Sequence, residues 1–194
     1  KFGSSGNHLI WLKIATAEGC TDSNGHAVFI SDNPVANFKS DSVCLGDPII
    51  ITPVQTKGTF PIIQYRWENG SGVTQNSTNF NYTYNLPGSY LCTLNYNDNI
   101  GCSGVTQNYN VVYPLPDATF SLKTLGSNNQ FTLVKLTPAK LGYTSYLWQL
   151  PDGSSSNIDT PTMQFPRFFK DYIQLKVANS WGCEDTAKLF FYVF

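Results

Sequence analysis

Three stretches of the chain align without a gap: NHLIWLKIATAEGC at 7–20, SYLCTLNYNDNIGC at 89–102 and KDYIQLKVANSWGC at 170–183. Their alternate positions read Ile10-Leu12-Ile14, Cys92-Leu94-Tyr96 and Ile173-Leu175-Val177, the period of two that a half-buried strand requires. Each run ends in a polar turn that closes on Gly-Cys, and a second strand follows: HAVFI at 26–30, YNVVY at 109–113 and KLFFYV at 188–193. The three Gly-Cys pairs are spaced by 82 and then 81 residues. A fixed period of this size marks a repeated structural unit.

Other landmarks keep the same period. Pro34 and Pro116 each follow their cysteine by fourteen residues and precede Phe38 and Phe120 by four. Tyr65-Arg66-Trp67 runs into the turn ENG, and Tyr146-Leu147-Trp148 into QLPDG, with the tryptophans 81 residues apart. A large aromatic in mid-strand fills the gap of about 10 Å between two packed sheets, so Trp67 and Trp148 are expected in the cores. The expected architecture is all-β: tandem β-sandwich modules. Eleven prolines, fifteen glycines and the lack of a sustained 3.6-residue pattern argue against helix. LTPAKLGY at 136–143 could form at most one turn, interrupted by Pro138.

Composition narrows the partners. Only 13% of the 194 residues are charged, about half the usual share. Twelve Lys and Arg against thirteen Asp and Glu leave a net charge of -1, with no field to draw in nucleic acid or an anionic membrane. No window approaches eighteen consecutive apolar residues, so no membrane insertion is expected, and the opening KFGSSGNHLIWLKI lacks the order of a signal peptide. Five cysteines without a CxxC pair, and His8 and His26 as the only histidines, make a metal site or any cofactor unexpected.

Cut by its period, the chain divides into 1–34, 35–115 and 116–194. The first piece corresponds to the closing strands of a module whose first half is missing. Something must then cover Ile10, Leu12 and Ile14, because a lone two-stranded ribbon is marginal in water. Either the stretch belongs to a longer repeat protein with the missing half upstream, or these strands complete another subunit by strand donation.

The cysteines carry a second expectation. Cys44, near the start of 35–115, and Cys102, at its last hairpin, bracket most of that module and make a candidate disulfide. Closing that loop would stabilise by about 4 kcal/mol in the chain-entropy model. Cys20 would have its partner in the absent upstream half, and Cys183 would be free or bridge between modules. Cys92 shares its strand position with Ile10 and Ile173 and reads as a small buried hydrophobe. A bridge would place the chain in an oxidising compartment, extracellular or periplasmic.

With these residues in view, the modules resemble PKD-like domains, the immunoglobulin-like β-sandwiches repeated in cell-surface proteins. The resemblance rests on Tyr65-x-Trp67 and Tyr146-x-Trp148, on Gly88-x-Tyr90-x-Cys92-x-Leu94, and on the Gly-Cys turns. Module two departs from the pattern with Glu68-Asn69-Gly70 at its turn, and module three has Phe169 and Asp171 where module two has Gly88 and Tyr90. Val43-Cys44-Leu45-Gly46-Asp47 and Gly19-Cys20-x-Asp22 are similar to repeats of giant Bacteroidota surface adhesins, including gliding-motility adhesins exported by type IX secretion. That similarity implies a stalk or filament at the cell surface that adheres to polysaccharide or a solid substrate.

No nucleophile with its base and no convergent carboxylate pair is recognisable, so an enzyme is not expected. Asp47, Asp152 and Asp159 sit where Asp caps turns, and His8 sits on a strand. Trp11 and Trp181 are the candidate contact aromatics, for a neighbouring module of the same or another chain or for a sugar face. Asn69, Asn76 and Asn81 begin formal N-glycosylation sequons, and Asp41-Ser42-Val43 and Asp185-Thr186-Ala187 resemble Bacteroidota O-glycosylation sites. The expected function is a non-enzymatic, extracellular spacer or filament segment of an adhesin. The alternatives are a carbohydrate-binding accessory module of a secreted hydrolase and a filament subunit assembled by strand donation.

Overall fold

The computed structural model describes residues 2–39 and 41–193. Among them every regular element is a strand. β1 (Gly6–Ala15) and β2 (Thr21–Ile30) form an antiparallel ribbon in unbroken register, from Gly6 opposite Ile30 to Ala15 opposite Thr21. There follow β3 (Val35–Asn37), β4 (Ser42–Cys44), β5 (Ile49–Ile51), β6 (Val54–Lys57), β7 (Ile62–Glu68), β8 (Thr74–Gln75), β9 (Phe80–Tyr82), β10 (Gly88–Asp98) and β11 (Ser103–Tyr113). The last nine elements give a sheet in the order β4-β11-β10-β7-β8 and two short ladders, β3 with β6 and β5 with β9. Next come β12 (Phe120–Ser127), β13 (Phe131–Pro138), β14 (Ser145–Gln149), β15 (Ser155–Ser156), β16 (Thr162–Pro166), β17 (Lys170–Ala178) and β18 (Glu184–Tyr192). These form one sheet ordered β12-β13-β16 and another ordered β15-β14-β17-β18. Leu136-Thr137-Pro138 is the end of β13, so LTPAKLGY carries no helical turn.

The chain divides into two compact units. One comprises Lys1–Ser42, Pro48–Thr83 and Ser89–Val111; the other comprises Val43–Asp47, Tyr84–Gly88 and Val112–Phe194. The polypeptide thus passes between them at 42–43, 47–48, 83–84, 88–89 and 111–112.

In the second unit the alternation on β17 and β13 places Ile173, Leu175 and Val177 against Val134 and Leu136, with Trp148, Phe165 and Phe191 filling the space between the sheets. This is a two-layer sandwich. Each such side chain contributes roughly 1.5–3 kcal/mol on leaving water. In the first unit Trp67 and Leu94 face each other across the β7–β10 ladder and both are fully buried. The two tryptophans stand in matching surroundings. Phe38 meets the Trp67 ring edge-on at 5.1 Å, and Phe120 meets Trp148 at 5.0 Å. Trp67 Nε1 donates to Ser77 O at 3.0 Å, and Trp148 Nε1 to Ile158 O at 2.9 Å. Buried indoles need such an acceptor, and in both units it lies ten residues after the Trp.

The three Gly-Cys turns are one structure repeated. Thr16, Asp98 and Asn179 each donate their amide to the carbonyl of the cysteine four residues on, and each accepts from the glycine between. Gly19, Gly101 and Gly182 have φ of +88°, +91° and +81°, the left-handed region that L side chains rarely adopt.

The disulfide differs from the Cys44–Cys102 candidate. Cys44 bonds Cys183, with Cα atoms 5.5 Å apart, and Cys20, Cys92 and Cys102 are free thiols. Strand geometry gives the reason. Leu45, beside Cys44, donates to Tyr113 O at the end of β11, whereas Cys102 stands just before the strand begins. Eleven residues at about 3.3 Å each put the two ends of β11 some 35 Å apart, far beyond the reach of a disulfide. Of the two roles open to Cys183, bridging is the one it fills.

Candidate functional site

Two surfaces concentrate the chemistry of this chain. The first is the linker after β11, within the second unit. Asn179, nine-tenths buried at the β17–β18 turn, accepts through Oδ1 from the amides of Trp181 and Cys183, both at 3.0 Å. Its Nδ2 donates to Pro114 O at 2.9 Å, so one side chain shapes the turn and holds the linker. The Asp117 amide donates to Tyr143 Oη at 2.8 Å and the Ala118 amide to Asp185 Oδ2 at 3.1 Å. Asp117 Oδ1 accepts from the Thr119 hydroxyl and amide, which hold its carboxyl below the usual carboxylate range. Trp181 lies flat on Tyr113, ring centroids 5.2 Å apart and planes 8° off parallel. Trp181 is therefore a packing residue on one face and open on the other. With the Cys44–Cys183 bridge these contacts clamp the linker to the hairpin that follows it.

The second surface is the ribbon. Ile10, Leu12 and Ile14 are 46%, 66% and 58% exposed, although their counterparts Ile173, Leu175 and Val177 are entirely buried. Among the described residues β1 has only β2 as a neighbour, so its other edge is unpaired. Trp11, on the opposite face, covers Gly25 across the ribbon, where a Cβ would meet its ring at 3.2 Å. At the ribbon's base Phe29 packs against Phe60 and Ser5 Oγ donates to Asp32.

The remaining candidates are turn and packing residues. Asp152 Oδ1 accepts from Ser154 Oγ at 2.6 Å and Ser154 N at 2.9 Å, which lowers its pKa below the ordinary value. Asp159 accepts from the Thr160 amide, and Asp47 donates its amide to Cys44 O. His8 Nε2 lies 2.8 Å from Ser4 O and its ring rests on Phe2. Burial pushes the Cys92 thiol up to about 11, so it stays protonated and inert. Among the described residues no three His, Cys, Asp or Glu side chains converge on a metal position. Nor is any helix long and apolar enough to cross a membrane. An open groove of about 750 Å³ in the first unit is lined by Gln64, Tyr65, Arg66, Asn76, Asn95 and Asn97 among others.

Sequence reasoning missed Asn179 and Tyr113. The signal for Asn179 lay in its alignment with Asp98 at the first position of the turn, where an Asx side chain caps. Tyr113 had none, being one aromatic of a strand end.

Residues 31–113 match the model of the PKD domain. The match covers less than half of the chain, and residues 114–194 repeat the Phe–Trp core pair and the Gly-Cys turn found within it. Across 82% of its length the chain is similar to fibronectin(III)-like modules of CbhA from Clostridium thermocellum, at 13% identity, 94% coverage of that chain and a TM-score of 0.40. Over 97% it is similar to a run of titin domains, at 12% identity, 75% coverage and a TM-score of 0.43. Over 84% it is similar to SGBP-B of Bacteroides ovatus, solved with a mixed-linkage heptasaccharide, at 12% identity and a TM-score of 0.34; the match spans 48% of that chain. No curated protein matches the sequence.

Proposed function

We propose that the chain is a non-enzymatic segment of an extracellular adhesin or filament, a semi-rigid stalk of PKD-type sandwiches at the cell surface. Residues 1–34, 35–115 and 116–194 are its repeat units, and polysaccharide is the contact partner. The observation that carries this reading is the clamped linker. A disulfide, a stacked Tyr113–Trp181 pair and the Asn179–Pro114 bond fix backbone that a flexible tether would leave free. Pro114 and Pro116 restrict it further, since each ring locks φ and removes a donor. The disulfide supports an oxidising compartment, and the similarity of the Val43–Asp47 loop to gliding-type surface adhesins supports the cell surface. Small-angle scattering with and without reductant tests the stalk: the oxidised chain should give a narrow distribution of end-to-end distances and the reduced chain a broader one. A distribution equally broad in both states overturns it.

The carbohydrate-binding reading draws on the groove lined by Tyr65, Arg66 and Asn97 and on the exposed face of Trp11, since amide-rich grooves and flat rings suit sugar hydroxyls and pyranose faces. It requires glycan binding that falls when Tyr65 or Trp11 is replaced. A glycan array without a hit removes it.

A further inference from the structure

We propose that the open edge of β1 and the Cys102 thiol are two halves of one receiving site, for a module-opening segment of the same polypeptide N-terminal to residue 1. That segment carries a Tyr-x-Trp strand, which adds to β1, and a cysteine loop like Val43–Asp47, whose thiol bridges Cys102. Three independent observations converge on it.

The first is register. In both units the Tyr-x-Trp strand pairs with the strand homologous to β1, and in both the Trp stands opposite the same leucine: Trp67 opposite Leu94, Trp148 opposite Leu175. Tyr65 stands opposite Tyr96 and Tyr146 opposite Val177. Translated to the ribbon, the incoming Trp lies opposite Leu12 and the Tyr opposite Ile14, covering the two most exposed apolar residues of that face. An unpaired edge beside an exposed apolar stripe is the template that strand addition uses.

The second is the stagger of the disulfide. Cys183, at the close of one repeat, bonds Cys44, at the opening of the repeat before it. Cys44 is held there because Leu45 donates to Tyr113 O at 2.9 Å. One period earlier Tyr113 becomes Ser31 and Cys183 becomes Cys102, and Ser31 Oγ lies 3.8 Å from Cys102 Sγ. The partly buried Cys102 thiol thus waits where the counterpart of the Cys44 loop belongs.

The third is Asp98, the counterpart of Asn179. Its Oδ1 caps the turn as Asn179 does, accepting from Ile100 N at 3.0 Å and Cys102 N at 2.8 Å. Its Oδ2 is buried without a partner, where Asn179 spends its Nδ2 on the linker. A buried carboxylate oxygen beside the free thiol calls for a donor from an incoming backbone.

Bridge formation removes a proton from each thiol and passes two electrons to a low-molecular-weight disulfide such as oxidised glutathione, which leaves as two thiols while one S–S bond forms. Tethering in the same polypeptide favours this segment over a second copy through effective concentration. The site follows from the repeat and stands whether or not the stalk reading does, because its test reads a cross-link and amide exchange, not stiffness.

The period dictates the test. Residue 83 is one repeat after residue 1, so a second copy of residues 31–82 is fused directly ahead of the full chain, carrying Val43→Ile as a mass marker, and oxidised with glutathione. The expected peptide map joins the marked cysteine to Cys102 and leaves Cys44–Cys183 intact, while amide exchange along β1 slows on the order of 100-fold relative to the unextended chain. Trp67→Ala in the added copy should restore fast exchange on β1. Cys102→Ser should remove the cross-link and keep β1 protected. A marked cysteine that stays free or joins Cys20, β1 amides that exchange as before, or a cross-link found only between separate molecules would each overturn the proposal.

Discussion

The β1–β2 ribbon and the β17–β18 hairpin are built from the same pattern, close on the same Gly-Cys turn and have the same ladder, yet one is bare and the other is core. Leu12 is two-thirds exposed where Leu175 is fully buried. What differs is the cover. β17 has β14 along its other edge and β13 across the sandwich, and among the described residues β1 has a counterpart of neither. Alternation in a sequence therefore specifies that a face is meant to be buried; it does not supply the surface that buries it.

The disulfide is the largest lever on this contrast. Residues 44 and 183 lie 139 apart in sequence, for which the chain-entropy model gives about 5 kcal/mol. Cys183→Ser should lower the denaturant midpoint of the second unit by several tenths of its stability, while Cys20→Ser, at the same place on the ribbon, should leave all midpoints unchanged. Equal effects would break the comparison. Leucine truncation comes next. Leu175→Ala opens a cavity in a packed core and should cost about 2–5 kcal/mol. Leu12→Ala removes a side chain already in water and should stay within about 0.5 kcal/mol. In the chain extended with residues 31–82 the Leu12 cost should rise towards the Leu175 value, which sharpens the comparison.

How much of this was legible beforehand follows from range. The strands and the Gly-Cys turns rest on local periodicity and a repeat of 82 and 81 residues, both of which a sequence displays directly, whereas the contacts of Phe38 with Trp67 and Phe120 with Trp148 emerge only from the fold. The disulfide did not yield to the same reading. Cys44 lies near the start of 35–115 in sequence, which does not say which end of β11 it meets; the pairing of β4 with β11 and the length of β11 decide that. The clamp on the linker was hidden for a related reason: Asn179 acts through a carbonyl, Pro114 O, and every residue offers one. The matching difference at Asp98, an oxygen where Asn179 has an amide nitrogen, was visible as two letters and acquired meaning only with the buried orphan atom.

The turn side chain gives a middle-sized test. Asn179→Ala removes the bond to Pro114 O and leaves the amides of Trp181 and Cys183 without their acceptor, at a cost of about 1–3 kcal/mol. Thr16→Ala, at the aligned position of the ribbon turn, should be nearly silent in thermal unfolding, because no side-chain cap there holds a linker.

The smallest effect is also the most discriminating. Trp181→Ala deletes one stacked pair on a half-exposed surface, worth about 0.5–1.5 kcal/mol beyond its buried area, and its ribbon counterpart Glu18 has no ring to lose. If Trp181 serves only to pin Tyr113, the variant should lose that small increment, broaden the scattering-derived end-to-end distribution, and bind glycans no differently from the parent. Trp181→Phe should then recover most of the loss, since a flat ring on Tyr113 is all the contact requires. A variant with unchanged dimensions but altered glycan retention would instead assign the open face of Trp181 to sugar, and the hairpin would differ from the ribbon in ligand as well as in cover.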